Sequence, residues 1–144
     1  DLLFYVPPHR APAVVRDAGL TNEAGWIPVD RHTLQTQFEG VFAIGDITAI
    51  PLKMGRPLPK AGVFAHGQAE VVANNIAHAW TGRGAPQKFA GEGKCFIETG
   101  NARAGLGKGN FYAEPTPQVE MRRPSLFWHV GKILYEKYWL YRHF

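Results

Sequence analysis

Short apolar runs separated by prolines and glycines make up the first third of the chain. The run Leu2–Val6 is wholly apolar and is closed by two prolines, which predicts a buried strand of a parallel sheet. A second apolar run, Gly40–Ile44, ends in Gly45-Asp46 and predicts another buried strand. The alternation in Gly25–Asp30 is interrupted by a proline and therefore indicates an edge strand.

Helical spacing appears twice in the same half of the chain. Residues 11–20 have room for one or two helical turns that end at Gly19. After a loop rich in proline and glycine, Pro51–Gly62, a longer helix is predicted that ends near Gly82. Its apolar stripe is predicted to comprise Ala65, Ala69, Val72, Ile76 and Trp80.

The second half of the chain predicts a small hairpin and a terminal helix. In order, the predicted elements are a strand at Lys94–Gly100, a glycine-rich turn at 101–110, a returning strand at 111–114, an extended linker at 115–124 and a helix at 125–144 with Pro124 in its first turn. The stretch Gly105–Asn110 looks like a phosphate loop, but no Ser/Thr or helix follows it, so a hairpin turn is favoured.

Composition and charge narrow the class of protein. The 144 residues are 45% hydrophobic and 19% charged, which is typical of a globular chain. The net charge is +4, and residues 120–144 contribute five Lys or Arg against two Glu, a net +3. This tail favours an anionic partner, either nucleic acid or a phospholipid surface. One cysteine forms no internal disulfide, and no apolar stretch reaches 18 residues.

Gly45-Asp46 is the first candidate site. A glycine at a strand end permits positive φ, and a carboxylate there lies at the edge where open α/β sheets bind ligands. A simple N-cap or Asx turn is the alternative. The second candidate is the loop that leads into the helix at Gly62, because a helix start exposes unpaired N–H groups and a positive dipole. The alternative is a helix that only packs in the core.

Cys95 is the third candidate site. A lone cysteine on a strand is either a small buried hydrophobe or a redox thiol. Lys94 would lower its pKa only if both faced one site, whereas neighbours on a strand point to opposite faces. His66 and His78 lie too far apart on the predicted helix for a metal pair, and no metal site is predicted.

The stretch around Gly45-Asp46 resembles the second flavin motif of flavoproteins with two dinucleotide-binding domains. Thr36, the short apolar strand Val41–Ile44 and Gly45-Asp46 occur in the order that this family has. The resemblance implies that Asp46 accepts a hydrogen bond from a ribityl hydroxyl of FAD. A carboxylate suits that role because it only accepts hydrogen bonds and forms short, charge-assisted ones.

A second stretch narrows the resemblance to sulfide:quinone oxidoreductases and the related flavocytochrome sulfide dehydrogenases. The matching residues are Pro59-Lys60-Ala61-Gly62, Gln68-Ala69 and Ala73-Asn74-Asn75-Ile76. The resemblance implies that Lys60 and the backbone of Ala61 and Gly62 stabilise negative charge on reduced flavin. Ala61 stands where many relatives have Thr, so a side-chain contact is lost there. The resemblance also makes Cys95 a redox cysteine whose partner lies in an N-terminal half that this chain lacks.

The tail combines aromatic, apolar and basic residues over a range too wide for one ordinary stripe. Trp and Tyr favour the membrane–water interface, and Lys132, Lys137 and Arg142 suit anionic headgroups. The alternative is a helix docked in a crevice or in a dimer interface. Quinone-reducing members of the resembled family dock on membranes through such helices, which favours an anionic membrane surface as the partner of residues 124–144.

Together these features predict an α/β C-terminal fragment of a flavoprotein. Residues 1–83 are assigned to part of a Rossmann-like FAD-binding domain, and residues 84–144 to a small α+β domain with an amphipathic terminal helix. No G-x-G-x-x-G motif occurs, so the pyrophosphate loop for FAD is expected to lie in the missing part, and FAD to be absent or weakly bound here. A partial domain leaves sheet edges uncovered, so homo-oligomers are expected; nucleic acid is not.

The resemblance implies an FAD-dependent oxidoreductase that oxidises sulfide through Cys95 and passes electrons to quinone. The fragment alone is expected to be inactive, and the intact protein to be peripheral on a bacterial inner membrane. Two alternatives stay open: a type II NADH:quinone dehydrogenase, and a non-catalytic membrane-peripheral binding module. A cytochrome is the alternative acceptor.

Overall fold

The chain has a mixed α/β fold with parallel and antiparallel sheets and a C-terminal helix, and the computed structural model describes residues 2–144. The predicted α/β class is confirmed. The elements in chain order are α1 (Ala13–Asp17), β1 (Ile27–Pro28), a 3-10 turn (Gly45–Ile47), β2 (Thr48–Ala49), α2 (Gly62–Thr81), β3 (Glu92–Gly100), β4 (Arg103–Asn110), β5 (Gln118–Ser125) and α3 (Leu126–His143).

Contacts divide the chain into two units. The first comprises residues 2–51 and 57–89, and the second comprises residues 52–56 and 90–144. The assignment of 1–83 and 84–144 to two flavoprotein domains stays a prediction.

The sheet of the first unit is a short parallel pair. Ile27 of β1 lies opposite Thr48 of β2, and Pro28 lies opposite Ala49. The predicted edge strand at Gly25–Asp30 is therefore confirmed, although only two of its residues pair. Pro28 has no N–H to donate, which suits a strand with one paired side.

Two predicted buried strands of this unit are wrong. The side chains of Leu2–Val6 are 72–87% exposed, and no described residue pairs with them. In Gly40–Ile44 only Ala43 is buried, and Phe42 forms a single bridge to Gln35. Gly40 and Gly45 both have φ +73°, so the backbone leaves the extended region at each end of this short run. The strand lies instead after Gly45-Asp46, at β2.

Both predicted helices of the first unit are confirmed. The chain turns at Gly19, with φ +70°, shortly after α1 ends. Helix α2 ends at Thr81, and Gly82 adopts φ +66° while its N–H donates to the carbonyl of His78 at 2.8 Å. A glycine with this conformation is the usual C-terminal stop of a helix, because a side chain would be strained there.

The buried face of α2 differs from the predicted stripe. Phe64, Gln68, Val71 and Val72 are buried, whereas Ile76 is 38% and Trp80 is 88% exposed. Two asparagines at the far end of the helix hold the chain that follows it. Asn74 Nδ2 donates to the carbonyl of Ala85, and Asn75 both donates to and accepts from the backbone of Gln87.

This returning segment ends at Phe89, which closes the core of the first unit. The Phe89 ring packs edge-to-face on Phe64 with a centroid distance of 6.4 Å, and its N–H donates to the carbonyl of His32. The other buried apolar residues of this unit are Ile27, Leu34, Ala43, Ile50, Leu58, Val71 and Val72.

The second unit contains an antiparallel sheet in the order β3-β4-β5. The predicted strand at Lys94–Gly100 is confirmed within β3. The glycine-rich stretch Gly105–Asn110 is not a turn but lies in the central strand, and the turn is only Asn101-Ala102. Residues 111–114 are not a strand, and the predicted linker holds β5. Gly105, Gly107 and Gly109 have no side chains, but all three are buried, because β4 is flanked by β3 and β5.

Helix α3 packs on one face of this sheet. Phe96 of β3 contacts Tyr135 with ring centroids 6.0 Å apart, and Glu98 accepts from His129 at 3.1 Å. The predicted helix is confirmed, but it begins at Leu126, and Ser125 rather than Pro124 sets its start. The Ser125 hydroxyl accepts from the Trp128 N–H at 3.3 Å as an N-cap.

Candidate functional site

Gly45-Asp46 forms a tightly held turn at the start of β2. The Gly45 N–H donates to Gln68 Oε1 at 2.6 Å, and the Gly45 carbonyl accepts from the Thr48 hydroxyl at 2.8 Å. A Cβ at Gly45 would lie 3.3 Å from Cβ of Ala65, so α2 approaches this backbone closely. Among the hydrogen bonds of residues 2–144, none ends on the exposed Asp46 carboxylate, so the alternative of an Asx turn does not apply.

Lys60 reaches back over this turn. Its Nζ donates to the carbonyl of Asp46 and lies 3.4 Å from the carbonyl of Thr48. Desolvation lowers the pKa of Lys60, while the charge of Asp46 opposes that shift. Lys60 is therefore a cation held beside an exposed carboxylate and two carbonyl dipoles.

The start of α2 lacks a side-chain cap. Ala61 occupies the N-cap position, and no side chain of the described residues accepts from the first turn there. The carbonyl of Ala61 accepts from the N–H groups of Phe64 and Ala65, as a normal first turn requires. The N–H groups that precede them are the ones that a helix start leaves for water or a ligand.

A small cavity joins these features within the first unit. Its volume is about 10 Å³, and its lining residues are Gly45, Asp46, Thr48, Leu58, Pro59, Lys60, Ala61, Phe64 and Gln68. Four of the five residues predicted to hold FAD, Gly45, Asp46, Lys60 and Ala61, therefore border one space. Gly62, the fifth, is the first residue of α2 and follows directly.

A second cavity of about 270 Å³ shares Asp46 and Lys60 with the first. Its remaining lining residues are His9, Arg10, Pro12, Trp26 and Ile47. Lys60 thus lines both cavities, and its Nζ lies 3.6 Å from the centroid of the Trp26 ring.

Two residues of this site have roles that sequence reasoning missed. Gln68 was part of a matched motif, but its bond to Gly45 requires the tertiary structure. The sequence feature that could have indicated this role is the presence of a polar residue, Gln68, in an otherwise alanine-rich helical stripe. Trp26 lies within the predicted edge strand Gly25–Asp30, and no other feature of the sequence connects it with the site.

The chain is 28% identical over 116 residues to the mitochondrial sulfide:quinone oxidoreductase of Mus musculus and 30% identical over 116 residues to that of Schizosaccharomyces pombe; each match covers 80% of this chain and 24% of the relative. It is 29% identical to the sulfide-quinone reductase of Aquifex aeolicus, over 96% of this chain and 34% of that protein. The chain is similar to part of sulfide:quinone oxidoreductase.

The resemblance to sulfide:quinone oxidoreductases that the sequence motifs indicate is thereby confirmed. The chain spans 24–34% of the length of these curated relatives. No protein-family model matches the chain.

Cys95, the cysteine that the resemblance to sulfide:quinone oxidoreductase singles out, belongs to the second unit. It lies on β3 opposite Gly107 and is exposed, so the alternative of a buried hydrophobe is wrong. Lys94 precedes it on the strand and points to the other face. In the described part of the chain, no three His, Cys, Asp or Glu side chains cluster in a way that could hold a metal ion.

The surface of α3 that faces away from the sheet is apolar and aromatic. Its exposed residues include Phe127, Val130, Leu134, Tyr138 and Tyr141. Their spacing of three and four places them along one stripe of the helix. Across residues 2–144, no helix is both long and apolar enough to cross a membrane.

Proposed function

We propose that this chain is part of an FAD-dependent oxidoreductase of the sulfide:quinone oxidoreductase type. The observation that carries the proposal is the meeting of Asp46, Lys60 and Ala61 at one cavity beside an uncapped helix start. Asp46 offers a free acceptor, and Lys60 and the helix start offer positive charge. That combination fits a ligand with hydroxyl groups at one end and developing negative charge at the other, as FAD has.

Each residue has a distinct part in the proposal. The Asp46 carboxylate accepts from a hydroxyl of the ribityl chain. The Lys60 ammonium and the N–H groups of Ala61 and Gly62 stabilise negative charge at the helix start. FAD, when bound, supplies two-electron redox chemistry that none of these side chains provides.

Cys95 is proposed as the group that meets the electron donor. Hydrosulfide would attack the partner sulfur of a disulfide that includes Cys95, so that an S–S bond forms to the incoming sulfur, the bond to Cys95 breaks and Cys95 leaves as a thiolate that holds the electron pair. FAD, when bound, would supply the acceptor for that pair, and quinone the final acceptor. The exposure of Cys95 supports its access to a small nucleophile. The cysteine that completes the S–S bond lies outside this chain, since Cys95 is its one cysteine.

Anaerobic reduction of the full-length protein tests this function. Sulfide is expected to bleach the flavin absorbance of the wild type and of Ile97→Ser, a matched change two residues along the same strand. Cys95→Ser is expected to lose the bleaching. Bleaching by NADH but not by sulfide would instead identify an NADH dehydrogenase. A full-length protein that binds no flavin would overturn both, leaving a non-catalytic binding module.

Membrane association through residues 124–144 is part of the same proposal. The exposed stripe of α3 provides apolar area, and Lys137 and Arg142 are exposed beside it for anionic headgroups. Quinone is a membrane-dissolved substrate, so a protein that reduces it needs access to the lipid surface. The bacterial inner membrane and a homo-oligomeric state stay predictions.

Co-sedimentation with liposomes tests this surface. The triple variant Phe127→Ser, Leu134→Ser and Tyr141→Ser is expected to lose most binding to vesicles that contain phosphatidylglycerol. Trp80→Ser, which removes an 88% exposed aromatic residue from α2, is the matched control and is expected to bind as the wild type does. Equal binding by the triple variant and the control would contradict the proposed surface.

A further inference from the structure

The backbone of Trp26 is held by two hydrogen bonds to Asn22. Its N–H donates to Asn22 Oδ1 at 3.0 Å, and its carbonyl accepts from the Asn22 N–H at 2.8 Å. The next residue, Ile27, opens β1 and pairs with Thr48. Trp26 therefore stands beside the residues that lead into β2, which include Asp46.

The indole face of Trp26 lies against the Lys60 ammonium. The distance from Lys60 Nζ to the ring centroid is 3.6 Å, well within the range of a cation–π contact. Nζ also donates to the carbonyl of Asp46 and lies 3.4 Å from the carbonyl of Thr48. A lysine side chain has four rotatable bonds, and these contacts together restrict those of Lys60.

We propose that Trp26 is a positioning residue for Lys60, and that it holds the ammonium of this residue, which lines both cavities. Its indole restricts the rotamers of Lys60 and keeps the cation in place before a ligand arrives. The negative charge that develops on a bound electron acceptor is then stabilised by the Lys60 ammonium, which is already in position. The identity of the ligand rests on the proposed function, whereas the contact between Trp26 and Lys60 does not.

The contact is tested first without ligand, by NMR of lysine side chains in the 144-residue chain. A cation over an indole face places the Lys60 Hε protons in the ring current, so their signals are expected upfield of those of the other lysines. Lys60→Met assigns the signals. The shift is expected to vanish in Trp26→Leu, to persist in part in Trp26→Phe, and to be unchanged in Trp80→Leu.

Two results of this experiment would overturn the inference. One is an upfield shift that survives in folded Trp26→Leu. The other is a Lys60 signal of the wild type that coincides with those of exposed lysines, and this result needs no variant to fold.

The role toward a ligand is tested with FAD, in its oxidised and its dithionite-reduced form, by anaerobic titration of the full-length protein after its own FAD has been removed. The wild type is expected to prefer reduced FAD. Trp26→Leu is expected to lower that preference roughly threefold to tenfold, as the strength of a cation–π contact implies. In a Lys60→Met background, Trp26→Leu is expected to change nothing further.

A loss of the same size with and without Lys60 would mean that Trp26 acts on the fold and not through Lys60, and would overturn the inference. An unchanged preference in Trp26→Leu would do the same while leaving the proposed function intact. A full-length protein that binds no FAD would end the proposed function, and the NMR result would then decide on the contact alone.

Discussion

The side-chain carbonyl of Gln68 accepts a hydrogen bond of 2.6 Å from the backbone N–H of Gly45. Gln68 is 1% exposed, and its bond joins the middle of α2 to the turn that presents Asp46. The turn bends at Gly45 with φ +73°, where its N–H would otherwise face the core without a partner. A buried amide of α2 thus determines where an exposed carboxylate stands.

Replacement of Gln68 by Leu is expected to lower the free energy of unfolding by about 1–3 kcal/mol, because the Gly45 N–H then loses its buried partner. Urea denaturation measures the loss, and hydrogen exchange of the Gly45 amide is expected to accelerate with it. Gln87→Leu is the matched control, since that side chain is exposed and only its backbone is held. Equal stabilities of the two variants would contradict the role of the bond.

Gly91 cannot carry a side chain in this structure. Its φ is +71°, and a Cβ would lie 2.4 Å from two ring atoms of Tyr112. Gly91→Ala is therefore expected to reduce the free energy of unfolding by about 3 kcal/mol or more, from backbone strain and overlap together. Thermal unfolding measures this change.

Gly100 separates the two causes. It lies in the same unit with φ +81°, but nothing lies within 4 Å of its Cβ position. Gly100→Ala is expected to cost only the backbone strain, about 1 kcal/mol. A cost for Gly91→Ala no larger than that for Gly100→Ala would show that Tyr112 moves aside freely.

Asp30 organises the turn that carries His32. Its Oδ1 accepts from the N–H groups of His32 and Thr33 and from the Thr33 hydroxyl, at 2.9, 2.7 and 2.9 Å. The hydrogen bond from the Thr33 N–H is the main cause that holds the pKa of Asp30 below its ordinary value of 3.8, and desolvation opposes it. The carboxylate therefore adds stability above pH 3.8, and this stability is lost as pH falls through the lowered pKa.

Asp30→Ala is accordingly expected to be less stable than the wild type at about pH 7 and to approach it near about pH 2.5. Urea denaturation at both pH values measures the gap. Asp17→Ala removes a carboxylate that is mostly exposed, with only a surface ion pair to Arg16, and is expected to show little gap at either pH. A gap for Asp30→Ala that is independent of pH would contradict the role of its charge.

Cys95 is exposed on β3, so its thiol is expected to react with a disulfide reagent in the folded protein. The rate is expected to stay within about tenfold of that in urea, because no unfolding step has to precede the reaction. Cys95→Ser is expected to leave the free energy of unfolding within about 0.5 kcal/mol of the wild type. A reaction that requires denaturant would contradict the exposure of the thiol.

Long periodic segments were predictable from the sequence, and short apolar runs were not. Helices α2 and α3 have enough turns for their spacing to stand out, and Gly82 gives α2 a defined end. The runs at Leu2–Val6 and Gly40–Ile44 are each five residues long, and a strand of that length depends on a neighbour to pair with. No sequence pattern shows whether such a neighbour exists, and in the described part of this unit the structure provides a two-residue parallel pair and isolated bridges.

The residues of the candidate site likewise divide into those that local sequence motifs predict and those whose roles depend on tertiary contacts. Gly45, Asp46, Lys60 and Ala61 were predicted because two local motifs match those of flavoproteins. Gln68 binds Gly45, which lies 23 positions away in the sequence, and Trp26 contacts Lys60, which lies 34 positions away. Both roles therefore depend on tertiary contacts. The phase of α2 was misjudged for the same reason, because its most buried polar residue satisfies a backbone group of another segment.

Ser125 ends β5 and also caps α3, so no loop separates the strand from the helix. The rotation of α3 about its own axis is therefore locked to the hydrogen-bond register of the sheet. One inserted residue at this junction would turn the helix by about 100° and would bring Phe127 and its neighbours round towards the strands. The orientation of the aromatic stripe relative to the sheet thus depends on Ser125 and on the absence of loop residues between β5 and α3.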